Sequence, residues 1–161
     1  MYPIRRFEPA DLEPLLALSL AAFTPIHESF ERELGLEVFR LAYPDWRKSH
    51  ERYVRQICND DPEKIYVAWD EAARALAGYV HYTTNAEDRS GEIGLNAVDP
   101  TYQGRGVGTS LCHHVLGLMR ENGALWAKVN TGGDPSHASA VRAYEKCGFK
   151  VFPLAHMTRL L

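Results

Sequence analysis

Cysteine is scarce in this chain: three among 161 residues, Cys58, Cys112 and Cys147, an odd number with no two-residue spacing between any pair. That excludes a disulfide framework and a zinc knuckle and leaves buried packing thiols as the expectation. Basic blocks are also missing. Lys and Arg total 18 against 21 Asp and Glu, a net charge of −3, so the sequence offers no stripe for duplex binding and no nucleic acid partner is expected. The longest mostly apolar stretch, Leu15 to Phe23, is about half of the roughly 20 residues a bilayer demands, so it reads as a core helix and no membrane partner is expected. Arg5 and Arg6 precede it, but Glu8, Asp11 and Glu13 break any signal-peptide layout, and the expected location is the cytoplasm. No repeat, low-complexity tract or linker divides the chain, so residues 1–161 are read as one domain with one hydrophobic core.

What is present alternates in period. Ile4 to Phe7 reads as a strand, Asp11 as the cap of a helix running through Phe23, and Thr24 to Arg55 as further helix broken at Pro25, Gly35 and Pro44. Lys64 to Trp69 and Leu76 to Thr83 form a hairpin pattern, followed by a strand over Glu92 to Val98. Strict alternation there sets Ile93, Leu95 and Ala97 on one face and Glu92, Gly94, Asn96 and Val98 on the other, unless a bulge breaks the phase. Val107, Leu111, Val115, Leu118 and Met119 recur at helical spacing up to the stop at Asn122-Gly123. Leu125 to Asn130 reads as a strand, and Asp134-Pro135 opens a helix to Cys147. Val151 to Phe152 and Ala155 to Leu161 read as closing strands. The fold class read from this order is α/β, with an antiparallel hairpin and a right-handed strand–helix–strand crossover.

Between the Glu92 to Val98 strand and the next helix stands Gln103-Gly104-Arg105-Gly106-Val107-Gly108. Three glycines in five positions leave main-chain N–H groups uncovered at the positive end of a helix, an arrangement that cradles anions. The spacing is G-x-G-x-G. A dinucleotide fingerprint needs G-x-G-x-x-G, and a Walker loop needs Lys then Ser or Thr after its last glycine, so both nucleotide readings fail.

With Gln103, two residues, Gly106, one residue and Gly108, the loop resembles that of the GCN5-related N-acetyltransferases. Val98-Asp99-Pro100-Thr101-Tyr102 ahead of it and Ala140, Tyr144, Gly148 and Phe149 behind it resemble that family's strand end and helix signature. The resemblance implies an α/β fold with a mixed, largely antiparallel twisted sheet flanked by helices on both faces, and acetyl-CoA as cofactor. It places the pyrophosphate on the amides of Gln103, Gly104, Arg105, Gly106, Val107, Gly108 and Thr109, and the pantetheine arm on the main chain of Ala97 and Val98. His137 stands where the family usually carries Asn, with Asn130 as a substitute contact.

Such an enzyme transfers acetyl from a thioester to a primary amine of a small molecule or peptide. The resemblance implies Tyr144 as general acid and Glu92, or ordered water, as base; His81 and His137 are rivals by residue type. The adjacent His113 and His114 face different ways on a helix, so no metal is expected. At pH 7 an α-amino group is about a tenth neutral and a lysine about four parts in ten thousand, roughly 3 kcal/mol apart, so a base matters most for an alkyl amine. The acidic, aromatic stretch Glu28 to Trp46 is where the resemblance places the acceptor pocket. A catalytically silent acyl-CoA-binding module is the alternative, and self-association into a homodimer is left open.

Overall fold

The computed structural model describes residues 2–161. Strand β1 (Ile4–Arg6) leads through a short turn at Pro9–Asp11 into helix α1 (Leu12–Leu34). Asp11 fastens that junction. It accepts the Arg5 guanidinium at 2.6 and 2.7 Å and the Glu8 N–H at 2.9 Å, closing a local cap before the helix starts. Helix α1 does not stop at Phe23 as the sequence pattern predicts. Pro25 lies inside it, and the carbonyl it leaves without a partner, that of Ala21, is on an exposed residue where water can serve it. The helix ends instead at Gly35, whose φ of +78° only glycine adopts freely. Two shorter helices follow, α2 (Leu36–Ala42) and α3 (Trp46–Asp60).

Strands β2 (Ile65–Asp70), β3 (Ala75–Asn85) and β4 (Ser90–Val98) come next, then helix α4 (Val107–Glu121), strand β5 (Trp126–Val129) and helix α5 (Ala138–Lys146). The sheet runs β1-β2-β3-β4-β5, antiparallel except for the parallel β4–β5 pair. One face buries Leu15, Leu18, Val54, Ile57 and Tyr79 beneath α1 and α3; the other buries Val80, Ile93, Leu111, Val115 and Met119 beneath α4.

Two further expectations change. In the β3–β4 ladder His81 stands opposite Leu95 and Tyr82 opposite Ile93, so Gly94 is an extra residue in β4. This bulge shifts the phase. Ile93 joins the α4 side, whereas Leu95 and Ala97 join the α1 side, so Glu92 and Asn96 do not share a face. A side chain at position 94 would meet the His81 ring at 2.8 Å, which explains the glycine. The closing strands are the second correction: residues 147–161 form no helix or strand, and Val151, Phe152, Leu154 and Met157 are exposed. β propensity there finds no ladder partner, and Pro153 interrupts the run.

Among the described residues no helix is long and apolar enough to cross a membrane, and no cluster of His, Cys, Asp or Glu could hold a metal. The cysteines are free, with Cys58 and Cys112 buried.

Candidate active site

Strands β4 and β5 pair only from Ser90 to Ile93 against Trp126 to Val129; beyond that they part. Into the gap open the C-terminal half of β4, the glycine loop, α5 and the middle of α1, enclosing a cleft of about 330 Å³. The direction of the β4 main chain follows from the ladder. Asp99 N–H donates to Ala77 O at 3.0 Å while Val98 stands opposite Gly78, which makes Gly78 and Val98 a pair without mutual hydrogen bonds. The N–H and C=O of Val98 therefore face away from β3, into the gap, and by alternation so do those of Asn96. Those of Ala97 face β3. Ala97 lines the cleft, but its own polar groups are not offered to a ligand, which corrects the expectation that it shares the pantetheine contact with Val98. Gln103 Nε2 donates to Val98 O at 3.3 Å, leaving the Val98 N–H.

The loop then delivers its amides. Gly104 and Gly106 have φ of +75° and +80°, and the Ser110 N–H makes the first return bond of α4, to Gly106 O at 2.9 Å. The four amides before it, Gly106 to Thr109, have no intrahelical acceptor and stand at the positive end of the helix dipole. Gly108 lets the helix approach β4: a Cβ there would lie 3.3 Å from Val98 Cγ2. Two cations on α5, Arg142 and Lys146, line the same cleft. Asn96 donates to Gly108 O at 3.1 Å, and its Oδ1, buried, has no partner in the protein.

Tyr144 is buried from α5 against this cleft, its ring edge-on to Phe149 at 5.8 Å. Burial drives its hydroxyl well above the ordinary phenol range, the Cys112 thiol adds to that, and the Asn96 amide opposes it. The group stays protonated at neutral pH.

Ten of the residues nominated from sequence thus meet at one cleft: Ala97, Val98, Gln103, Gly104, Gly106, Val107, Gly108, Thr109, His137 and Tyr144. Three do not. Arg105, nominated for its amide, turns its side chain outward, the guanidinium 5.4 Å over the Tyr102 ring and 3.5 Å from the Tyr2 hydroxyl. Glu92 forms an ion pair with Lys128 at 3.1 Å, and Asn130 donates to it at 3.4 Å, outside the cleft lining. His81 is 5% exposed with both ring nitrogens sealed and unpartnered, so it faces no substrate. Sequence reasoning missed Asn96, whose main chain faces the gap by the same alternation as that of Val98. It also missed Arg142 and Lys146, whose four-residue spacing on α5 was the available signal.

This architecture is shared. The fold is similar to that of the PaiA N-acetyltransferase of Thermoplasma acidophilum crystallised with coenzyme A, at TM-score 0.71 and 18% identity over 96% of this chain and 93% of that one. It is also similar to a GNAT family acetyltransferase of Brucella melitensis crystallised with acetyl-CoA, at TM-score 0.61 and 21% identity over 94% and 84%. In sequence, a mycothiol acetyltransferase of Mycolicibacterium gilvum is 33% identical over 95 residues, 56% of this chain and 31% of that protein. One from Propionibacterium freudenreichii is 31% identical over 149 residues, 90% of this chain and 42% of that protein. The chain thus spans well under half the length of these curated relatives. The profile of the acetyltransferase (GNAT) family matches residues 26–149, three quarters of the sequence, and the chain belongs to that family.

Proposed function

We infer that this chain is an acetyl-CoA-dependent N-acetyltransferase acting on a primary amine of a small molecule or peptide. The observation that carries the reading is the set of free amides Gly106 to Thr109, which converges on the same cleft as the Val98 N–H and the Tyr144 hydroxyl. The cleft suits coenzyme A in order. Free amides at a helix N-terminus and the Arg142 and Lys146 cations match a pyrophosphate and phosphate. The outward main chain of Asn96 and Val98 offers strand-like bonds to the pantetheine amides. When bound, the thioester supplies the activated acyl group.

The residues of the chain then divide the work. Val98 N–H is a fixed donor for the carbonyl oxygen, oriented before reaction. Tyr144, held protonated by burial, donates toward the departing sulfur, whose conjugate thiol has a pKa near 8.5 by analogy with cysteine. The curated relatives are named mycothiol acetyltransferases, which makes a mycothiol-related amine one acceptor to include, alongside amino acids, polyamines, aminoglycosides and peptide N-termini. Calorimetry with acetyl-CoA followed by thiol-release screening across that panel tests the reading. Heat of binding and turnover with at least one amine are expected; binding without turnover on any amine points to an acyl-CoA-binding module instead, and no binding at millimolar acetyl-CoA overturns both.

A further inference from the structure

Resting on the transferase reading, we propose that His137, held by Asp134, is the group that takes the proton from the acceptor amine. Four contacts build the site. His137 Nδ1 lies 2.5 Å from Asp134 Oδ1, and the other carboxylate oxygen accepts from the Ser29 hydroxyl at 2.8 Å, the Ser136 N–H at 3.1 Å and the Ser136 hydroxyl. Burial raises the Asp134 pKa, but the bonds from Ser136, Ser29 and His137 outweigh it and hold the carboxyl far below its usual range, so it is an anion at any working pH.

An anion against Nδ1 places the imidazole proton there and leaves the Nε2 lone pair free. Nε2 has no protein partner, and unlike those of His81 it is not sealed; His137 lines the cleft that holds Tyr144 and the Val98 N–H. The Phe30 ring of α1, 5.9 Å away and inclined 23°, backs the imidazole. Gly132 keeps the loop close: a Cβ there would collide with the His137 ring and lie 2.7 Å from Asp134 Oδ1. The other charged groups sharing the cleft are the cations Arg142 and Lys146, both on α5.

By contrast, Glu92 is spent on Lys128 and does not line this cleft. The proton balance is complete. An ammonium acceptor gives one proton to Nε2, which returns it to water once the site empties. The freed nitrogen forms the N–C bond as the C–S bond breaks, and its second departing proton reaches the sulfur by way of the Tyr144 hydroxyl. His137 is then the catalytic residue and Asp134 a positioning one.

Long-range proton–nitrogen NMR on histidine-labelled protein reads the tautomer directly, with His137 assigned by the H137Q spectrum. Neutral His137 is expected to carry its proton on Nδ1, and Asp134→Asn to shift it toward Nε2. With any amine that supports thiol release, H137Q is expected to lower kcat/KM at least thirtyfold at neutral pH and to move the acid limb of its pH profile up toward the pKa of the amine itself, while the acetyl-CoA Kd moves less than threefold. An Nε2–H tautomer in the unsubstituted protein, or H137Q turning over with an unchanged pH profile, overturns the assignment of His137 alone. Failure of the unsubstituted protein to bind acetyl-CoA overturns the transferase reading and this one together.

Discussion

Tyr144 and Gly106 show how single side chains set this site. Burial makes Tyr144 a donor that never ionises in the working range, so its contribution is lost with the oxygen alone. Tyr144→Phe is expected to lower turnover at least tenfold with little change in acetyl-CoA affinity, measured by thiol release and calorimetry. Gly106 contributes through what it lacks. At φ +80° a Cβ strains the backbone by about 1–2 kcal/mol, although the space beside it is open. Gly106→Ala is therefore expected to lower the unfolding free energy by about that amount in urea titration and to weaken acetyl-CoA binding, because the amides it aims move with it. The glycine triplet and Tyr144 were legible from the sequence because their spacing along the chain is itself the signal. The placement of Glu92 outside the cleft was not, since one inserted residue at Gly94 sets Glu92 on the face opposite Asn96 and Val98, and strict alternation carries no mark of a bulge.

Among the elements, α1 has the most varied duties. Its core stripe of Leu15, Leu16 and Leu18 was readable as helical periodicity, but its continuation past Pro25 depended on which carbonyl faces water, a matter of tertiary placement. Near its middle Ser19 bonds both Tyr79 and His50 at 2.7 Å, and Phe23 packs against the same imidazole at 4.4 Å. Burial, with a smaller push from His27, lowers the His50 pKa to about 4. Since unfolded histidine titrates near 6.5, the unfolded chain binds more protons between the two values. Stability is thus full above about pH 6.5 and declines as pH falls toward 4, by about 1–2 kcal/mol once solvent screening of a partly open ring is allowed for. Denaturant titrations at pH 7.5 and 5 should show this difference, and His50→Gln should reduce it, leaving the smaller dependence that burial of His27, His81 and His114 contributes in the same direction.

For the whole molecule, the sheet and the helices on its two faces were readable from the alternation of periods, because each element has its own buried stripe. The end of the chain was not, since strand propensity in Val151 to Leu161 counts only where an edge receives it. That segment is exposed and without regular structure, so brief trypsin treatment is expected to cut first at Lys150 and Arg159 while residues 2–146 persist, read by intact mass. Ligand linkage acts on the molecule as a unit. At a hundred times its Kd, acetyl-CoA should stabilise the fold by about 2.7 kcal/mol, a rise in Tm of about 5–10 °C for a chain of this size.

The bond from Ser29 to Asp134 joins positions 105 apart along the chain. So distant a closure has little chance to form before the sheet has brought its two ends together, and by topology alone it belongs among the last events of refolding. A stopped-flow experiment started from urea should accordingly record intrinsic tyrosine and tryptophan signals settling first, with competence to capture the coenzyme appearing only afterwards.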